Sequence, residues 1–436
     1  MTTKNLQKKR VQLRLRIISP ITIFLMGILF IGILILIAPV DYLYLGSPYS
    51  WMYVEFSIFF LFIGLIFGMG GIRLKSTVIS VNINIETLKN IFIIASLLAS
   101  FGVILRILDK YYIRGASISA NMMENRDILA EASLNAFSVT SSFFYPLVLL
   151  LPFLYLLLRK VNAHNIFYFL ALVLLSLFPI VDGILFGSRS VIMIWLFLIL
   201  MYLSVFGFFE FKMISKKALL VPVLLILFFI LNGYMFDHRT SLMGMEPSES
   251  TQISVYAYFL PLKDSYVTLL QSNEGNLIYF FILGILNFIQ YMTHGLFELL
   301  YLVDNFTSDK MLLGEQNFAI IVKFIYKILQ IPFSFADNSE ILVRTGIYNT
   351  LFGPIYYDFA FFGIGFSLIL GLLIGFISKK VMNGDIFLYP LYLYFLLLLF
   401  FSLVVNMIIF GQGLYNMVAF SIFYFLSKFL YLPKKI

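Results

Sequence analysis

The chain reads as an all-α polytopic integral membrane protein, a bundle of about ten transmembrane helices (ten to twelve) with one large external loop that contains interfacial helices. Two observations predict this. Of 436 residues, 61% are hydrophobic and only 12% charged, with mean hydropathy +0.98, whereas soluble domains run at roughly half apolar and a quarter charged. The apolar residues also gather in runs of about 20, the length that crosses a bilayer as a helix with every backbone group paired internally.

The spanning runs are 17–38, 51–70, 88–108, 141–158, 165–186, 190–209, 217–236, 354–377, 386–409 and 414–433, with a further candidate at 277–303. The first run follows Lys4, Lys8, Lys9, Arg10, Arg14 and Arg16 and has no small-x-small cleavage site, so it reads as an uncleaved first helix. Residues 1–16 form a tail, and 1–436 is read as one membrane domain. Glycines at 64 and 68, and at 371 and 375, have the spacing that lets helix backbones approach closely.

Orientation follows from Lys and Arg in short connections. The tail has six, and 71–89, 159–164, 210–217, 378–385 and 428–436 have three, two, three, two and three. These are expected in the cytoplasm, with both termini. The connection 39–50 has one acid and no basic residue, and 106–131 has four of each sign. Those are expected outside, and alternation then puts Asp237 outside as well. At about 27 residues, 277–303 is too short for two crossings, so it reads as an interfacial or re-entrant helix. The chain is thus expected to be a multi-pass membrane protein with both termini on the cytoplasmic side.

Composition also excludes chemistry. With no cysteine, disulfides, thiolate metal sites and a cysteine nucleophile are impossible. There is no Gly-x-x-x-x-Gly-Lys-Ser/Thr phosphate loop. The net charge of +8 sits in short clusters beside apolar runs, where it sets orientation and does not call for nucleic acid.

The large loop, 237–353, holds 11 of the 22 acidic residues against six basic ones, and most candidate site residues lie in or near it. Arg189 stands in the external turn Gly187-Ser188-Arg189-Ser190, where a planar guanidinium can grip a diphosphate; the structural alternative is a snorkelling arginine or one paired with Asp182. His238 and Arg239 open the loop and could serve proton transfer and diphosphate binding, or form a solvated turn. His294 and Glu298 are four apart and share a helix face, as a base and its orienting carboxylate would; a packed interfacial histidine is the alternative. Arg344 precedes a polar, aromatic stretch running through Tyr348 and Tyr356 to Asp358, which needs a partner so near a span. Arg344, Arg239 and Arg189 are the expected candidates. Tyrosines near this face suit sugar stacking or an interfacial belt.

These features resemble the bacterial O-antigen and oligosaccharide repeat-unit polymerases, the Wzy-type family. The likeness covers the hydropathy layout and is sharpest at Gly187-x-Arg189, at Tyr291-x-Thr293-His294-Gly295, and at Tyr348-x-Thr350-x-Phe352-Gly353-Pro354-x-Tyr356-x-Asp358-Phe359. Family members usually have glycine after that Asp-Phe, and here it is Ala360. The resemblance implies a glycosyltransferase that moves a growing glycan from undecaprenyl diphosphate to the next lipid-linked unit on the periplasmic face. It implies Arg189, Arg239 and Arg344 on the diphosphate, His294 or Glu298 as base, and His238, Tyr348, Tyr356 and Asp358 near the sugar. No cofactor or metal is expected. Partners implied are the lipid-linked glycan, the bilayer, a chain-length regulator and a flippase. An O-antigen ligase and a lipid-linked oligosaccharide flippase or other transporter are the competing readings.

Overall fold

The computed structural model describes residues 10–117, 122–131, 135–186, 189–207, 220–242, 244–307, 311–330, 341–345, 347, 349–409 and 412–431. A strand β1 (Arg10–Ile17) precedes helices α1 (Pro20–Ile37) and α2 (Pro48–Met69). Then come strand β2 (Thr77–Asn84), α3 (Ile85–Ile107), α4 (Ala136–Lys160, with a 3-10 turn inside), α5 (Ile166–Leu185) and α6 (Arg189–Val205). The later helices are α7 (Leu220–Leu242), α8 (Leu277–Asn305), α9 (Phe352–Phe359), α10 (Gly363–Met382), α11 (Tyr389–Phe400) and α12 (Gly413–Tyr431). Among the described residues eight helices are long and apolar enough to cross a membrane, and two shorter apolar ones lie at Ser190–Val205 and Ile386–Phe400.

Local sequence sets the helix ends. Ser19 and Ser47 cap α1 and α2, each followed by proline at the first helical position, where its missing N–H costs nothing. Gly70 closes α2 in the left-handed conformation at φ 74°, which a side chain would strain.

The two glycine pairs meet each other. A Cβ on Gly64 would lie 2.3 Å from the Leu368 carbonyl oxygen, and one on Gly371 2.3 Å from that of Leu61. Gly68 and Gly375 repeat the contact one turn on, so α2 and α10 run parallel with backbones touching. A second seam joins α7 to α8, where a Cβ on Gly233 would fall 1.9 Å from the Phe280 oxygen. Here the helices are antiparallel: Asp237 accepts from the Tyr279 hydroxyl (2.9 Å), and Asn232 Nδ2 donates to the Gly284 carbonyl (3.1 Å).

The described parts of four segments that charge counting assigns to one side, 1–16, 71–89, 378–385 and 428–436, gather at one end. There β1 pairs with β2 in antiparallel register from Arg10↔Asn84 to Ile17↔Thr77, the Tyr389 hydroxyl donates to the Arg16 carbonyl, and Lys428 bridges to Asp385 at 3.1 Å. At the other end, segment 39–47 pairs with 257–263 of the large loop. Asp41 N–H donates to Pro261 O (2.9 Å), and Leu43 N–H to Phe259 O (3.1 Å).

The described structure is mostly helical, compatible with an all-α membrane bundle, and the basic tail adds the strand β1. Its residues 11–17 alternate apolar and polar, with Leu13, Leu15 and Ile17 buried, the period of a half-buried strand. The candidate run 277–303 forms one unbroken helix, α8, of 29 residues. From Gln290 to Asp304 one face of it is covered by loop. The Gln290 amide donates to the Thr251 and Leu260 carbonyls at 2.8 and 2.9 Å, and Ser47 N–H donates to Asp304 at 2.8 Å.

Candidate functional site

Three of the sequence-predicted site residues, His294, Glu298 and Arg344, meet at the second half of α8. His294 and Glu298 project from one face a turn apart, and both are buried. The His294 ring sits edge-on to Tyr256 with centroids 4.8 Å apart. Its Nδ1 lies 2.8 Å from the Tyr291 carbonyl oxygen. A carbonyl only accepts, so Nδ1 holds the proton, and in the neutral ring Nε2 is the basic nitrogen.

Glu298 meets Arg344 directly, Nη1 donating to Oε1 at 2.7 Å. The guanidinium is held on three sides: Nη2 donates to the Val255 carbonyl (3.2 Å), and the plane lies over Tyr258 and Phe259, 4.0 and 4.9 Å from their ring centroids. The main chain before it is fixed too, because Val343 N–H donates to the Tyr357 hydroxyl at 3.0 Å. Glu298 Oε2 is buried with no hydrogen-bond partner among the described residues. A carboxylate with one oxygen committed and the other open can accept a proton from a hydroxyl brought to it.

Among the described residues Asp358 pairs with no arginine, and backbone and amide donors stand in the place expected of one. It accepts from Gln316 N–H (2.8 Å), Asn317 N–H (3.0 Å) and Asn317 Nδ2 (2.7 Å). Asn406 Nδ2 in turn donates to Asn317 Oδ1 at 2.9 Å. Asp358 therefore clamps residues 312–317. A buried carboxylate satisfied by backbone N–H groups needs no cation.

Tyr356, also buried, donates to the Val303 carbonyl at 3.4 Å and meets Tyr53 edge-on at 4.7 Å. Ala360 follows at φ 45°, ψ −135°, a conformation that glycine adopts without strain and that costs other residues about 1–3 kcal/mol. Glycine's own entropy cost, roughly 0.5–1 kcal/mol, offsets part of that. Ala360→Gly is expected to raise stability by about 1 kcal/mol, measured by thermal unfolding in detergent; an unchanged or lower midpoint would show that this turn is relaxed.

His238 and Arg239 do not join this group. They end α7, with His238 exposed and its ring stacked on Tyr234 at 6.2 Å. Their neighbour Asp237 bonds Tyr279, which lies 15 residues before His294, or about 22 Å along α8 at 1.5 Å per residue. Arg189 opens α6, and Tyr348 lies outside the described residues. Among the described residues no group of three His, Asp or Glu could share a metal ion.

Asp182, considered above as a partner of Arg189, is engaged elsewhere. Lys110 Nζ donates to Oδ1 (2.6 Å), and Arg106 Nε and Nη2 donate to Oδ2 (3.1 and 2.9 Å). Arg106 also lies over the Tyr145 ring, 4.4 Å from its centroid. The cluster sits where α3 widens into a π-helical turn, Leu108–Ile113. Sequence reading treated these charges as loop markers. The signal was present: two cations four apart, and one acid inside an apolar run.

Comparison with family models, with curated proteins and with solved structures finds no match for this chain. Its chemistry is therefore read from its own geometry.

Proposed function

We propose that the chain is a membrane glycosyltransferase that polymerises undecaprenyl-diphosphate-linked oligosaccharide repeat units on the periplasmic face of a bacterial inner membrane, with both termini in the cytoplasm. The observation that carries this reading is the buried Glu298–Arg344 pair beside His294, walled by aromatic rings. In the reaction, an acceptor hydroxyl oxygen attacks the anomeric carbon of the donor glycan. The bond from that carbon to the diphosphate oxygen breaks, and its electron pair leaves with undecaprenyl diphosphate. The hydroxyl proton passes to Glu298 Oε2 or His294 Nε2.

Arg344 orients the carboxylate and presents its remaining N–H edge to developing negative charge. Arg189 and Arg239 are assigned to the diphosphate in this reading. Because Arg239 stands about 25 Å from His294 by helix rise, it would meet a different part of the lipid carrier. A chain-length regulator and a flippase are the partners implied.

The test is complementation of a polymerase-deleted strain, with lipopolysaccharide read on a gel. The chain should restore a ladder, and His294→Ala should leave a single repeat unit on the core at normal protein level. Cells that lack even the first unit would point to the O-antigen ligase or to a flippase. A full ladder from His294→Ala would remove His294 from the chemistry.

A further inference from the structure

A cavity of about 1220 Å³ opens beside the last turns of α8. Tyr301, one turn past Glu298, lines it and packs on Phe259 with ring centroids 4.8 Å apart. Phe259 is also a ring beneath Arg344, so cavity and charged pair share a wall. Asp304, on the same helix, lies six residues beyond Glu298, about 9 Å at 1.5 Å per residue.

The opposite wall is held firmly. Asp304 accepts from Ser47 N–H (2.8 Å), from Ser50 Oγ (3.1 Å), and from the Tyr44 and Ser47 hydroxyls. Tyr49 stacks on Phe361 at 5.6 Å and 27°, and Phe362 at the rim is 83% exposed. The lining therefore combines ring faces with hydroxyl, amide and carboxylate groups. Among the described residues it contains no lysine, arginine or histidine.

That mixture selects a class of ligand. A pyranose ring has an apolar C–H face that packs on an aromatic ring and a rim of hydroxyls that needs donors and acceptors. A phosphate headgroup would need cations, and none is among the described lining residues. We propose that this cavity holds the neutral oligosaccharide of the acceptor, stacked on Tyr49, Phe361 and Phe362, with its terminal hydroxyl directed along α8 toward Glu298. The proposal rests on the polymerase reading for the word acceptor; glycan binding itself does not depend on it.

The probe is the repeat-unit oligosaccharide freed from its lipid by mild acid, titrated by saturation-transfer NMR against the full chain in nanodiscs. Tyr49→Ala and Phe362→Ala are each expected to weaken binding about five- to tenfold, to leave thermal unfolding unmoved, and to shorten the ladder in complemented cells. Binding unchanged in both variants overturns the proposal. So does a tightly held phospholipid that both variants lose while the glycan fails to displace it. If the wild-type chain binds glycan but forms no ladder, the polymerase reading fails and the glycan site stands. A ladder without measurable glycan binding by the wild-type chain has the opposite meaning.

Discussion

Arg344→Lys is expected to abolish the glycan ladder, with at least a hundredfold loss of polymer at normal protein level. The guanidinium makes two divergent hydrogen bonds, to Glu298 Oε1 at 2.7 Å and to the Val255 carbonyl at 3.2 Å, with its Cζ over the Tyr258 ring, 4.0 Å from the centroid. A lysine ammonium is a point charge on a flexible stem; it can keep one of those bonds and lacks the planar face that stacks. Glu298 would lose its fixed orientation, and misplacement of a catalytic group by about 1 Å can cost on the order of a hundredfold. A structural pair would give a different result. Removing one partner of a buried ion pair costs about 3–5 kcal/mol because it strands the other charge, so Arg344→Ala alone confounds folding with chemistry. Changing both together, Glu298→Gln with Arg344→Gln, removes both charges. That double variant should recover much of the lost stability and still make no polymer. Recovery of the ladder would show that the pair only holds the loop.

The second large effect concerns folding. Asp182→Ala would leave Arg106 and Lys110, with side chains only 10% and 9% exposed, without their counter-ion. The expected cost is about 3–5 kcal/mol, read as a lower unfolding midpoint and a poor yield from membranes. Asp182→Asn should fall between, since its amide oxygen can still accept from one of the two. An unchanged midpoint for Asp182→Ala would mean that water already solvates the cluster.

Much of this architecture was legible in the sequence because a bilayer leaves few choices. Each apolar run near 20 residues contains a helix, and the glycine pairs were readable as backbone contacts because spacing alone puts 64 and 68 on one face. The neighbourhood of His294 and Glu298 was likewise written in their separation of four. What escaped depends on packing between distant segments. The separation of Arg239 from His294 follows from α7 lying antiparallel to the first half of α8, and no local pattern specifies which helices adjoin. Asp358 was expected to meet a cation because burial of a carboxylate demands compensation. The loop at 316–317 supplies that through main-chain donors, which composition does not advertise. Tyr357 was present in the aromatic stretch, yet only the structure shows its hydroxyl bracing the residue before Arg344.

The glycine seam between α2 and α10 reaches further than helix packing. Tyr49 stands in the first turn of α2, and Phe361 and Phe362 immediately precede α10, so the cavity wall that carries these rings is mounted on two main chains in direct contact. Four positions without side chains leave no soft layer through which one helix could slide on the other. When the surrounding bilayer thickens or thins, the pair must tilt as one body, and the ring-bearing wall of the cavity moves with it.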